Sequence, residues 1–221
     1  MKLLKKIMKI NFRSIVLNFY LLPIKQSVHL PLLISNKCKL KGLYRGGVQI
    51  NSKDLRIGLI QIGYNTCGIL DEKYERSIIE LGKHGKIIFY GRAFLGNGTR
   101  LSVTNDLIIG ANLNISGNSS IICCEGINIG NNSIISWDCL ILDTDFHRIY
   151  KDGNIINENK PIEIGNHVWI GAKSTILKGT KIADGSVIGA GSLCTGLLSD
   201  EKSIYAGQPA KLIKKNINWE I

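Results

Sequence analysis

The 221-residue chain has few aromatic residues (7%), only 4 prolines and 2 methionines. Its uncharged stretches near the N-terminus, Ser14–Ile24 and Gln26–Asn36, each run for only eleven residues. A membrane-spanning helix needs about 20 apolar residues, so neither stretch suffices. A secretory leader is also disfavoured, because "SIVLNFYLLPIK" offers no small-residue cleavage site. The six cysteines (Cys38, Cys67, Cys123, Cys124, Cys139, Cys194) form no CxxC pair, and most fall within apolar repeats, as buried reduced thiols of a cytosolic protein would. Histidines number four, without the close spacing of a zinc triad, so no metal is expected. Acidic residues are missing before Asp54, whereas residues 1–53 hold eleven of the 28 lysines and arginines. The other seventeen basic residues match the 17 acidic ones, so the +11 net charge belongs to the N-terminal segment. That asymmetry implies an anionic partner for the segment. Aromatic platforms are too sparse among those charges for nucleic acid.

What the chain does have is 24 glycines and a period of six. Ile164, Ile170, Ile176, Ile182 and Ile188 recur without a slip, and Cys194 continues the phase. Phe89, Leu95, Leu101 and Leu107 keep the same spacing; Ile109, Ile115, Ile121 and then Ile129, Ile135, Ile141 follow after two-residue offsets. A helix anchored every six residues would carry its apolar positions right round the axis. A short strand followed by a Gly, Asn or Asp turn fits, and units that cannot bury one aliphatic residue alone must stack into a solenoid.

The stretch "IGNHVWIGAKSTILKGTKIADGSVIGAGSLCTG", followed by "YAGQPAKLIK", resembles the hexapeptide-repeat acyltransferases. Within them it is similar to the sugar O-acetyltransferase branch, with its galactoside, maltose, capsule and lipopolysaccharide acetyltransferases. The resemblance spans about residues 85–215 and is strongest over 162–213. It implies a mainly β fold, a left-handed parallel β-helix, with sites between the subunits of a homotrimer. The expected division is a basic, apolar segment 1–45, a β-helix over 46–205 with a projecting loop 146–161, and a tail 206–221. "LLKKIMKINFRSIVLNFYLL" is read as a helix that either lies at a membrane interface or packs on the repeat body or a neighbouring subunit. The expected location is cytoplasmic, with peripheral contact through residues 1–35 at the inner face of the membrane.

The ladder breaks at "LDTDFHRIYKDGNIINENKP". In the family a loop here walls the active site, and the catalytic histidine lies at its start; His147 fits that position. Abstracting a hydroxyl proton during attack on a thioester needs a base near pH 7, and an ordinary histidine, with a pKa of about 6.5, suits that task. Asp143, Asp145, Asp138 and the more distant Glu163 are candidates to orient it. Strand alternation would put Asp143, Asp145 and His147 on one face. Trp137 and Asp138 are expected on the acceptor side. By resemblance the donor is acetyl-CoA, in a groove formed by Trp169, Gly171, Ala172, Gly189, Ala190, Thr195, Ala206, Pro209 and Lys211. Gln208 departs from the valine common at that point of the terminal motif. The expected function is transfer of acetyl to a hydroxyl of a saccharide, lipid-linked in one reading, in surface polysaccharide biosynthesis. Alternatives are acetylation of a small molecule or antibiotic, and a non-catalytic β-helix scaffold.

Overall fold

A computed structural model describes residues 7–65, 67–71 and 73–220. The six-residue ladder becomes three parallel sheets that form the faces of a triangular prism. The first sheet runs from Leu32–Ile34 through Ile60–Tyr64, Ala93–Gly96, Leu113–Ile115, Ile134–Ile135, Trp169–Ile170 and Val187–Ile188 to Ile204–Gly207 and Ala210–Lys214. The second ends with Leu140–Leu142, Thr175–Leu177 and Leu193–Cys194, the third with Ile162–Ile164, Lys181–Ile182 and Leu197–Leu198. This is the arrangement of a left-handed parallel β-helix. Ile164 stacks on Ile182, Ile170 on Ile188 and Ile176 on Cys194, a regular coil of eighteen residues. All six are almost wholly buried, so each coil adds one more rung to a single apolar core.

The two-residue offsets have a geometric cause. Leu107 and Ile109 both point inward from one strand, Asp106–Ile109, and pair with Ile127 and Ile129 of the next coil. A four-residue strand buries two alternate residues, so these coils need twenty residues and the ladder shifts by two.

The prism begins earlier than the sequence suggests. Leu32–Ile34 already pairs in parallel with Ile60–Ile62, so the first coil starts at residue 32 rather than 46. Helix α1 (Phe12–Leu21) and a short helix α2 (Ile24–Ser27) precede it. The side chain of Asn11 caps α1 by accepting from the Ser14 amide at 2.8 Å. Residues 1–6, the basic start of the anticipated helix, lie outside the described residues.

Burial raises the thiols of Cys38 (to about 11), Cys139 and Cys194 (to about 12), and pushes Cys123 higher still with help from the Asp143 charge. Cys67 and Cys124 are only partly buried. A thiol titration of native protein is therefore expected to modify two cysteines quickly and the remaining four only after denaturation.

Candidate active site

The prism has three corners, and the site residues are distributed among them. At the corner between the second and third sheets lie the turns 178–180 and 195–196 and the projecting segment between Leu142 and Ile162. The segment carries its own small hairpin, Tyr150–Lys151 against Asn154–Ile155. The strand leading into it stops at Leu142, so strand alternation does not extend to Asp143, Asp145 and His147. Phe146 has a φ of 60°, an uncommon left-handed conformation for a bulky residue. This turn swings His147 out over a cleft of about 520 Å³ that it shares with Glu125, Thr144, Arg148, Asn157 and Glu158.

The two nearby aspartates hold the loop rather than the imidazole. Asp143 is 0% exposed, and its carboxylate accepts from the backbone N–H groups of Cys124, Glu125 and Gly126 at 2.7, 2.9 and 2.8 Å. It thereby locks the turn of the preceding coil that presents Glu125 to the cleft. Asp145 accepts from Lys178 Nζ at 2.6 Å and from Asn157 Nδ2 at 2.9 Å. The Lys178 hydrogen bond, with that of Asn157, lowers the Asp145 pKa below the usual carboxylate range. The imidazole of His147 makes no hydrogen bond to any described residue. Its backbone is fixed instead: its amide donates to the Asp145 carbonyl at 2.7 Å, and its carbonyl accepts from Asn157 Nδ2 at 2.7 Å. Asn157 also accepts from the Ile149 amide at 2.6 Å, and Lys178 Nζ donates to the Asn157 carbonyl at 2.7 Å. Asn157 and Lys178, which hold the loop that carries His147, are positions that the sequence reading missed. Lys178 sits one coil beyond the strand that leads to His147, since Leu142 pairs with Leu177, and that register is the signal that could have found it.

Most of the anticipated donor residues lie at a different corner, between the first and second sheets. Gly171 and Ala172, Gly189 and Ala190, then Ala206 and Gly207 stack there in successive coils. A Cβ at Gly171 would lie 2.6 Å from the Ala190 nitrogen, and one at Gly189 would lie 2.8 Å from the Ala206 Cβ. Close stacking of the coils therefore already requires small residues at both positions. Trp169, 41% exposed, projects from the first sheet and donates from Nε1 to Ser136 Oγ at 3.2 Å. Pro209 and Lys211 lie in the terminal hairpin, with a cis Gln208–Pro209 peptide. Gln208 Nε2 donates to the Gly191 carbonyl at 2.7 Å, which ties the hairpin tip to this corner. Thr195 is the exception, lying on the His147 corner beside Gly196. Trp137 and Asp138 fall at the Gly171 corner, where Asp138 accepts from Asn118 in a ladder with Arg100. Glu163, in the third sheet, pairs with Lys181 at 2.7 Å.

The third corner, between the third and first sheets, holds His167. Its ring stacks on Trp219 with centroids 4.0 Å apart and an interplanar angle of 5°. His167 Nε2 lies 3.0 Å from the Trp219 carbonyl, and Trp219 Nε1 donates to the His167 carbonyl at 3.0 Å. This histidine clasps the C-terminal tail. No group of three or more potential metal ligands occurs among the described residues.

Residues 161–196 match the family model "Bacterial transferase hexapeptide (six repeats)". A Klebsiella pneumoniae protein, "Uncharacterized 24.8 kDa protein in cps region", is 30% identical over 86% of this chain and 81% of its own length. The chain belongs to the hexapeptide-repeat acetyltransferases. Within this family, "Probable acetyltransferase Rv3034c" of Mycobacterium tuberculosis is 32% identical over 61% of the chain, which spans about half of that relative (54%). The polysialic acid O-acetyltransferase of Neisseria meningitidis is 34% identical over 47% of the chain and 50% of its own length. Among solved structures, the polySia-specific acetyltransferase NeuO superposes with a TM-score of 0.54 at 25% identity, covering 86% of this chain and 89% of that one.

Proposed function

We propose that this hexapeptide-repeat acetyltransferase moves an acetyl group from acetyl-CoA to a hydroxyl of a saccharide, with His147 as general base. The observation that carries the reading is the placement of His147. It is an exposed imidazole on a strained turn, held by its backbone over an open polar cleft, with both neighbouring aspartates occupied elsewhere. Such a ring presents both nitrogens to the cleft, whereas His167 has Nε2 engaged by the Trp219 carbonyl and its ring stacked on Trp219. The saccharide and the oxygen acceptor are supported by the relatives that act on polysialic acid.

In the proposed reaction the His147 ring takes the hydroxyl proton as the acceptor oxygen attacks the thioester carbonyl. A new C–O bond forms, the tetrahedral intermediate collapses with loss of the C–S bond, and the imidazolium returns its proton to the departing thiolate. The products are an acetyl ester and free CoA. Glu125 and Glu158, which share the cleft, are placed to accept hydrogen bonds from sugar hydroxyls.

Donor binding is proposed along the small-residue corner of Gly171, Ala172, Gly189, Ala190 and Ala206. There close-stacked backbone leaves room for an extended pantetheine arm, and Lys211 on the terminal hairpin offers a point charge to phosphate. A whole sheet face separates this corner from His147 in one chain. The donor corner of one subunit and the His147 corner of the next would complete each other in the proposed homotrimer.

Full-length protein, acetyl-CoA and a panel of surface polysaccharides test the reaction by release of the CoA thiol and by mass spectrometry of the acceptor. An acetyl group that mild alkali removes is the expected product. A base-stable acetyl group would assign transfer to an amine. The lowered pKa of Asp145 means that its bond to Lys178 is fully present at neutral pH and is lost only as pH falls through that lowered value. Lys178→Met, which removes that bond and the one to the Asn157 carbonyl, is therefore expected to reduce turnover at neutral pH.

A further inference from the structure

Helix α1 is built inside out. Beside the buried Leu21 and partly buried Leu17, its inward face carries two polar residues, Ser14 and Asn18, 1% and 0% exposed, which turn toward the first strand. Asn18 donates from Nδ2 to the Leu32 carbonyl at 2.8 Å and accepts from the Leu32 amide at 3.0 Å. Ser14 Oγ donates to the Ile34 carbonyl at 3.1 Å and accepts from the Ile34 amide at 2.9 Å. The two side chains thus satisfy the open edge of the first sheet, which would otherwise offer unpaired backbone groups to another strand. The outward face carries apolar residues at helical spacing. Phe12 is 81% exposed and Val16, Phe19 and Tyr20 about half, while Met8 before α1, Ile24 on α2 and Val28 just after it are exposed as well. A helix serving only its own core would show the reverse pattern.

We propose that this face docks on an anionic lipid surface, lying in the interface with Phe12, Val16 and Phe19 sunk among the headgroups. Charge decides between lipid and a second copy of the chain. The segment before Asp54 contains no acidic residue; Lys25 lies on α2, and Lys9 and Arg13, bonded to Gln61 and to the Asn36 and Cys38 carbonyls, add positive charge beside the apolar face. Two copies joined through this face would set basic against basic, whereas anionic lipid is complementary to it. None of the described helices is long and apolar enough to cross a membrane, which fits contact in the plane of the interface. The inference rests on exposure and charge and is independent of the acetyl-transfer reading. Together they would bring the His147 cleft to saccharides that are assembled on lipid carriers.

The test is flotation of the full chain with phosphatidylcholine vesicles and with phosphatidylcholine–phosphatidylglycerol vesicles, for the wild type and a Phe12→Ser, Phe19→Ser double variant. Both side chains are exposed, and circular dichroism and thermal melting check that the variant is folded. The wild type is expected to float with the anionic vesicles, at least about tenfold more weakly with neutral ones or in high salt. The double variant is expected to lose about tenfold or more of the binding to anionic vesicles. Wild-type protein that stays in solution with anionic vesicles would overturn the proposal, as would a variant that floats equally well. A variant with a smaller sedimenting mass and unchanged flotation would assign the face to a second copy.

Discussion

Replacing His147 with alanine is expected to lower acetyl transfer by about 10²- to 10⁴-fold while leaving donor binding within a factor of about two. The reasoning has two parts. The imidazole lines the cleft without a hydrogen-bond partner among the described residues, so removing it removes the proposed proton acceptor and breaks no hydrogen bond. The proposed donor contacts are made by the small-residue corner and not by the His147 ring, so the change removes none of them even where the two corners meet between subunits. A loss confined to KM would instead make His147 an acceptor-binding residue. His167→Ala makes the contrast: it should release Trp219 and loosen the tail, with turnover falling only through stability.

The largest expected loss of stability comes from Asp143→Ala. Three backbone N–H groups, at residues 124–126, would lose their acceptor next to a buried site. An unsatisfied buried donor costs about 1–3 kcal/mol, and water reaching the vacated space offsets part of the sum, so a loss of about 3–5 kcal/mol is expected in denaturant unfolding. Asp143→Asn, which keeps one acceptor oxygen, should lose about half as much. If Asp143 instead oriented the imidazole, the asparagine variant would be nearly as stable as wild type but strongly impaired in turnover. A conservative change that costs stability first and activity second is the signature of a group that holds a turn.

The regular part of the fold was legible because one aliphatic residue per strand is enough to define a stacked coil. Ile164 to Cys194 could be read directly from their spacing. The first coils were hidden for a physical reason: Leu32 pairs with Ile60 and Ile60 with Ala93, intervals far longer than eighteen, because successive strands there, such as those ending at Tyr64 and starting at Ile78, lie far apart in sequence. The sequence also marked His147 through the break in the ladder. Its surroundings were less accessible. Strand alternation suggested that Asp143 and Asp145 share its face, but the strand ends at Leu142 and the left-handed turn at Phe146 redirects the chain. Asn157 and Lys178 approach from ten and thirty-one residues away, through loop return and coil register, which linear spacing does not display. The inside-out helix was visible as an alternation of polar and apolar residues, but which side faced the prism depended on Asn18 meeting the backbone of Leu32.

The most direct test of the proposed chemistry is calorimetric titration of acetyl-CoA into the wild type and His147→Ala, each checked for folding and oligomeric state. Micromolar binding by both proteins, with transfer retained only by the wild type, is the predicted result. Folded protein that binds no acetyl-CoA in either form would contradict the acetyl-transfer reading and leave the β-helix as a scaffold.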